Sequence, residues 1–325
     1  MLFVTNRVLN QGPTRLNSER SYILPRSVSF NLEDNQAGQS VSFCYRTAAN
    51  NYTEIGSQTF FRELRNSDFK QIVLYLHGFN SFPEPDIFPA AEEIQALFDQ
   101  KSPGYIIVVP LIWPCDSDFG VVQDYYDDQI SADASGYAFL RFLEKFLAWR
   151  NRHSTLENPC IKRINILAHS MGNRVLRSTL ACAVKYEQTQ GMPLIFRNTF
   201  MIAPDIINET FEPGESGSYI PPSSRNVVVY YAADDLALRA SKVANARDTS
   251  RRLGHTGPEN IKRVAKNVYA FDCGDFNNSY DQPVGHSYFR KDPQGNPGIV
   301  FNHIWDCINT GRVPITPPGS QTQIL

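Results

Sequence analysis

At 325 residues the chain is long enough to bury a large core, and with a net charge of −2, from 31 Lys and Arg against 33 Asp and Glu, and its basic residues scattered, nothing suggests a surface for nucleic acid or an anionic membrane. Its six cysteines (44, 115, 160, 182, 273 and 307) form no C-x-x-C pair and no cluster with His, which suits buried reduced thiols better than disulfides or zinc. The opening MLFVTNRVLNQG lacks the basic region and apolar length of a signal peptide, and no window is apolar enough to span a bilayer, so a cytoplasmic protein is expected.

In chain order, Leu2 to Thr5, Tyr22 to Leu24, Val28 to Phe30 and Val41 to Tyr45 read as short strands between polar turns, an antiparallel lead-in at a sheet edge. Gln71 to Leu76 is a nearly continuous apolar strand ending in His77-Gly78-Phe79-Asn80. A helix is predicted over Asp86 to Phe98, then a buried strand from Tyr105 to Ile112 ending in Trp113-Pro114. A loop rich in Asp and Tyr, Asp116 to Asp128, leads to an amphipathic helix over Ser131 to Trp149. The stretch RINILAHSMGNRVLRSTL from Arg163 follows. Further strands are predicted at Thr199 to Ala203, Asn226 to Ala232 and Asn267 to Phe271, with a closing helix from about Pro297 to Ile308.

Alternating strands and helices imply a mostly parallel, doubly wound sheet with an antiparallel N-terminal edge, helices on both faces, and active groups at the carboxyl ends of strands. Residues 1–312 are expected to form one such domain and 313–325, with three prolines, a loosely ordered tail. Two irregular stretches, Asn208 to Ser224 and Asp272 to Gly285, suit a lid or pocket wall.

The RINILAHSMGNRVLRSTL stretch carries the chemistry. Ile164, Ile166 and Leu167 suit a buried strand; Val175, Leu176, Leu180, Ala183 and Val184 recur at helical spacing. Between them, Ala168-His169-Ser170-Met171-Gly172 packs small residues around one serine, the strand–turn–helix setting of a nucleophile elbow. Side chains larger than methyl at 168 or 172 would collide where strand and helix approach. The alternative, a Ser-Gly helix start without chemistry, does not need both flanking elements.

A serine nucleophile needs a base oriented by an acid, in the chain order Ser, Asp or Glu, His for this elbow. Of six histidines, His77, His153 and His169 come too early, and His303 lies on the final helix. His286, in a glycine-flanked loop after the last strand, is the predicted base, with His255 the second choice. Asp235 is the first choice of acid because it follows the penultimate strand; Asp234 and Asp205 are alternatives, and helix capping is what any of the three would do otherwise. Two N–H donors for an oxyanion are predicted at Met171, after the nucleophile, and at Phe79 in the His77-Gly78 turn, with His77 orienting that turn.

The set HGFN, AHSMGNR, APD, DDLAL and GHSYF resembles the α/β-hydrolase superfamily, most closely a bacterial branch catalogued as a domain of unknown function, over roughly Leu2 to Thr310. The resemblance implies an α/β-hydrolase fold, Ser170, Asp235 and His286 as catalytic triad, and Phe79 and Met171 as oxyanion donors. Ala168 departs from the usual glycine of the elbow. Phe79, Phe82, Trp113, Phe119, Tyr125, Tyr126 and Phe289 fall near strand ends and are expected to line a pocket for an uncharged, partly hydrophobic ester; core packing is the alternative for each.

The expected activity is therefore a cofactor-independent serine esterase working through an acyl-enzyme on a small-molecule ester. Thioester hydrolysis and lipid deacylation use the same groups, and a silent scaffold used for binding is the alternative from another class. No metal is expected. Asp275 to Asp281 has alternating oxygen side chains but lacks the glycine and closing Glu of a calcium loop, and metalloprotease, P-loop and dinucleotide motifs are absent.

Overall fold

The structure, a computed structural model, describes residues 1–11, 24–115, 121–157, 160–186, 191–244 and 250–325. Its strands are β1 (Leu2–Thr5), β2 (Leu9–Gln11), β3 (Arg26–Phe30), β4 (Ser42–Ala48), β5 (Asn51–Glu54), β6 (Gln71–Leu76), β7 (Ile106–Ile112), β8 (Arg163–His169), β9 (Phe196–Ile202), β10 (Ser224–Tyr231), β11 (Val268–Asp272) and β12 (Thr322–Ile324). The helices are α1 (Gly56–Asn66), α2 (Phe88–Lys101), α3 (Val121–His153), α4 (Gly172–Tyr186), α5 (Ile220–Ser223), α6 (Leu236–Ala244), α7 (Leu253–Thr256), α8 (Asn277–Tyr280) and α9 (Ile299–Thr310).

Among the described residues all strands join one sheet in the order β12-β11-β10-β9-β8-β6-β7-β1-β4-β5-β3-β2. From β12 to β1 every pair is parallel; β4, β5, β3 and β2 add the antiparallel edge. Alternation along β6 sets the two faces. Ile72, Leu74 and Leu76 pack with α1, α3 and α4, whereas Val73 and Tyr75 pack with α2 and α9. The chain runs from β6 outward to β7, then returns to place β8 on the other side of β6. The connections leaving β6 and β8 therefore diverge to opposite faces, and a crevice opens at the carboxyl ends of these strands.

At the opposite end of the strands, four buried amides cross the sheet. Asn165 Nδ2 donates to Gln71 Oε1 at 3.2 Å, Asn198 Nδ2 to Asn165 Oδ1 at 2.8 Å, and Asn226 Nδ2 to Asn198 Oδ1 at 2.8 Å. Each link satisfies a polar group that apolar packing would strand without water.

The structure departs from several expectations. Helix α3 begins at Val121, so the part of the Asp- and Tyr-rich loop from 121 onward is helical. Tertiary contacts override weak helix formers there, since Asp124, Tyr125 and Asp128 are buried. The tail, expected to be loosely ordered, carries β12, fixed by Ala270 N–H to Gln321 O at 2.8 Å and Leu325 N–H to Asp272 O at 2.9 Å. This short strand covers the edge that β11 would otherwise leave unpaired. Helix α1 and strands β2 and β5 occupy stretches to which periodicity assigned nothing. The strand expected at Tyr22 to Leu24 falls mostly outside the described residues. All six cysteines are free, four of them buried, and among the described residues no helix is long and apolar enough to cross a membrane.

Candidate active site

Ser170 follows β8 with φ at 52°, in the left-handed region that a β-carbon disfavours. The neighbourhood holds it there. Its N–H donates to Ile202 O at 2.9 Å, and its carbonyl accepts from the Asn173 side chain (3.0 Å), Asn173 N–H (3.1 Å) and Asp205 N–H (3.2 Å). Asn173 also bonds Ala168 O at 2.9 Å, tying the turn to the strand before it. Backbone strain persists only where it is over-determined in this way. A β-carbon at Gly172 would stand 2.5 Å from His77 O and 2.7 Å from Leu76 O, so α4 can begin against β6 only with glycine there.

Beside the elbow lies the turn after β6. His77 is buried; its Nδ1–H donates to Gly78 O at 2.9 Å, and its Nε2 accepts from Trp113 N–H at 3.1 Å. Trp113 returns its indole N–H to His77 O at 3.0 Å and stacks on the ring. Burial pushes the His77 pKa down to about 3, so the ring is neutral and fixed in one tautomer. Among the described hydrogen bonds neither Phe79 N–H nor Met171 N–H has an acceptor. Backbone donors without a described acceptor are uncommon in a packed interior.

The third component comes from the loop after α8. Gly285, with φ at 68°, lets the chain turn, and Asp281 Oδ2 accepts from His286 N–H at 2.8 Å and Ser287 N–H at 2.6 Å. The stretch weighed above as a calcium loop thus braces this turn. His286 Nδ1 donates to Asp235 Oδ2 at 2.6 Å; Asp235 is wholly buried and its Oδ1 accepts from Leu238 N–H at 3.0 Å. Burial opposes a charge on His286, but the hydrogen bond and charge of Asp235, with Asp205 and Asp281 beyond, outweigh it and raise the pKa above the ordinary histidine value.

The other acids have different partners. Asp234 accepts from the Asn278 side chain. Asp205, buried, accepts from Tyr125 OH at 2.6 Å and Ser241 Oγ at 2.6 Å and pairs with Arg252 at 3.3 Å. Burial and the Asp205 charge push the Tyr125 phenol upward, which keeps its proton in place to donate. Among the histidines, His303 bonds Tyr230 OH at 2.7 Å and His153 stacks on Trp149; His255 lies in α7.

Ser170 and His286 open into one cavity of about 510 Å³, with Gly78, Phe79, Tyr125, His169, Asp205, Leu238, Ser241, Phe289 and Arg290 in its wall. No hydrogen bond joins Ser170 Oγ to the imidazole among the described contacts; the two share the cavity. Of the aromatics expected in this wall, Phe79, Tyr125 and Phe289 are there. Trp113 is not, because stacking on His77 carries it wholly into the core. Phe82 is also absent from the described wall and Tyr126 is exposed; Phe119 lies outside the described residues.

The family described as alpha/beta hydrolase of unknown function (DUF900) matches residues 53–300, which span the elbow, the His286 loop and every strand from β6 to β11. The chain belongs to this family. No curated protein matches it. For this alpha/beta hydrolase, the cavity at the switch between β6 and β8 lies where the fold puts its reacting groups. Among the described residues no group of three or more His, Cys, Asp or Glu is arranged to hold a metal ion.

The polar cavity residues that sequence reasoning missed include Ser241, Arg290 and His169. Ser241 and Arg290 carry no motif. His169 was set aside as a base because it precedes the serine, yet its ring lies 4.9 Å from that of His286.

Proposed function

We propose that the protein is a serine hydrolase that cleaves carboxylic esters through an acyl-enzyme, with Ser170, His286 and Asp235 as its triad. What supports this most is the His286–Asp235 pair at 2.6 Å on the cavity into which Ser170 opens. Asp235 holds the proton on Nδ1, so Nε2 is the free base. As a substrate enters, Nε2 takes the proton of Ser170, Oγ attacks the carbonyl carbon, and the oxyanion accepts from Phe79 and Met171 N–H. The imidazolium then protonates the leaving alkoxide as the carbon–oxygen bond breaks. Water, deprotonated by the same nitrogen, displaces the acyl group and restores Ser170. Each N–H donor to the oxyanion is worth roughly 10²–10³ in rate. The mostly apolar wall favours an uncharged ester with a hydrophobic part.

Fluorophosphonate labelling followed by peptide mass spectrometry tests the reading. The expected adduct lies on the Ser170 peptide and disappears in Ser170→Ala. Folded protein that takes no label, and that hydrolyses none of a chain-length series of p-nitrophenyl esters or thioesters, would overturn the proposal in favour of a silent scaffold.

A further inference from the structure

His169 is the last residue of β8 and shares a peptide bond with Ser170. Its Nε2 lies 3.2 Å from the carbonyl oxygen of His286. A carbonyl can only accept, so Nε2 carries the hydrogen. The other edge of the ring faces the oxyanion turn: Nδ1 is 3.2 Å from where a β-carbon on Gly78 would stand. The ring is also 5.1 Å from that of Phe289, beyond the base. One imidazole therefore touches the base loop and the oxyanion turn while its backbone leads into the nucleophile.

Two clamps bear on the peptide units of residue 286. Asp281 holds the N–H of His286 and that of Ser287 from one side, and His169 holds the carbonyl of the second peptide from the other. Without His169 that peptide is gripped at one edge only and can tilt about Asp281, which carries the ring off its 2.6 Å contact with Asp235. Burial, and then repulsion from His286, hold the His169 pKa well below the usual value, so the ring stays a neutral donor while His286 titrates.

We propose that His169 is a positioning residue, whose Nε2–H fixes the His286 carbonyl and so keeps the base on Asp235 and facing Ser170. This rests on the esterase reading above. The groups that set the charge state of His286 are Asp235 after β10, Asp205 after β9 and Asp281 in its own loop; His169 on β8 faces the ring, and Arg290 beyond Phe289 acts on His169.

Three variants test it: His169→Ala, His169→Gln and His169→Asn. A glutamine amide nitrogen reaches about as far as imidazole Nε2, whereas that of asparagine stops near Nδ1. The Ala and Asn variants are expected to lose about 10² in kcat, the cost of an ångström-scale misplacement, with KM little changed. Their acid limb in kcat/KM moves to lower pH as the hold of Asp235 on His286 weakens, and Gln recovers most of both. The low-field proton NMR signal of His286 Nδ1–H, recorded in a Ser170→Ala background, broadens or vanishes in Ala and Asn and persists in Gln. That signal needs no turnover, so it reports on His169 even if the esterase reading fails. Wild-type kcat and an unmoved acid limb in folded His169→Ala would overturn the proposal, as would equal damage in Gln and Asn or an unchanged proton signal in all three.

Discussion

Replacing Asp235 with Asn tests the site most directly, because the structure dictates how the new amide must sit. Asp235 Oδ1 accepts from Leu238 N–H at 3.0 Å and Oδ2 from His286 Nδ1 at 2.6 Å. Asparagine keeps the first bond only with its oxygen toward Leu238, which turns its NH₂ toward His286 Nδ1. That nitrogen must then lose its hydrogen, and the proton moves to Nε2, the atom that should accept from Ser170. The flipped amide sets NH₂ against the Leu238 N–H in a dry site, at a cost of about 1–3 kcal/mol. The wrong tautomer therefore dominates. In a Ser-His-Asp triad this costs about 10⁴ in kcat, or roughly 5.5 kcal/mol of barrier at 1.36 kcal/mol per tenfold.

Asp205→Asn is the matched control. It removes one charge of a buried pair with Arg252 and is expected to cost about 3–5 kcal/mol of stability, leaving kcat within tenfold of wild type. Steady-state hydrolysis of a p-nitrophenyl ester and thermal unfolding separate the two effects. If Asp235→Asn keeps kcat within tenfold while Asp205→Asn loses three orders, the acid is Asp205 and the reasoning from partners is wrong.

The raised pKa of His286 predicts that kcat/KM climbs with pH through a midpoint above 6.5. The linked stability has the opposite sign: the pair contributes fully below about 6.5 and is lost as pH rises through the folded value. The Tm advantage of wild type over His286→Gln should thus shrink where activity grows, and a constant difference counts against the shift. Gly172→Ala forces a β-carbon to 2.5 Å from a backbone oxygen. It should cost about 1–3 kcal/mol as overpacking does and lower kcat by moving Met171 N–H; unchanged Tm and kcat refute the close approach. Asn198→Leu strands Asn165 Oδ1 and leaves Asn226 Nδ2 only its 3.4 Å bond to Gly311 O. Denaturant titration should show a loss of at least about 1–3 kcal/mol with kcat intact, and a neutral effect would mean the amide row does not hold the sheet.

Much of this was legible locally. Apolar runs at Gln71–Leu76 and Arg163–His169 announced buried strands, because a strand covered on both faces has no polar positions to spare. The elbow was legible since only small residues fit where α4 meets β6, a constraint written into Ala168 and Gly172. Helix α1 was harder to see: its buried Phe60, Phe61 and Leu64 form a short apolar patch, and no side chain caps its start. The strand in the tail was not legible because a short polar strand gains its bonds from β11, to which nothing in its own composition points.

The sequence by itself determined the central parallel strands, the main helices between them and the elbow, since periodicity and steric size act between near neighbours. Which aspartate meets His286, why Trp113 leaves the cavity wall for the back of His77, and that His169 reaches the base loop were decided by the tertiary structure alone. Those choices depend on where side chains point once strands distant in sequence lie side by side, and a hydrogen bond of 2.6 Å exists or fails on that geometry rather than on residue type.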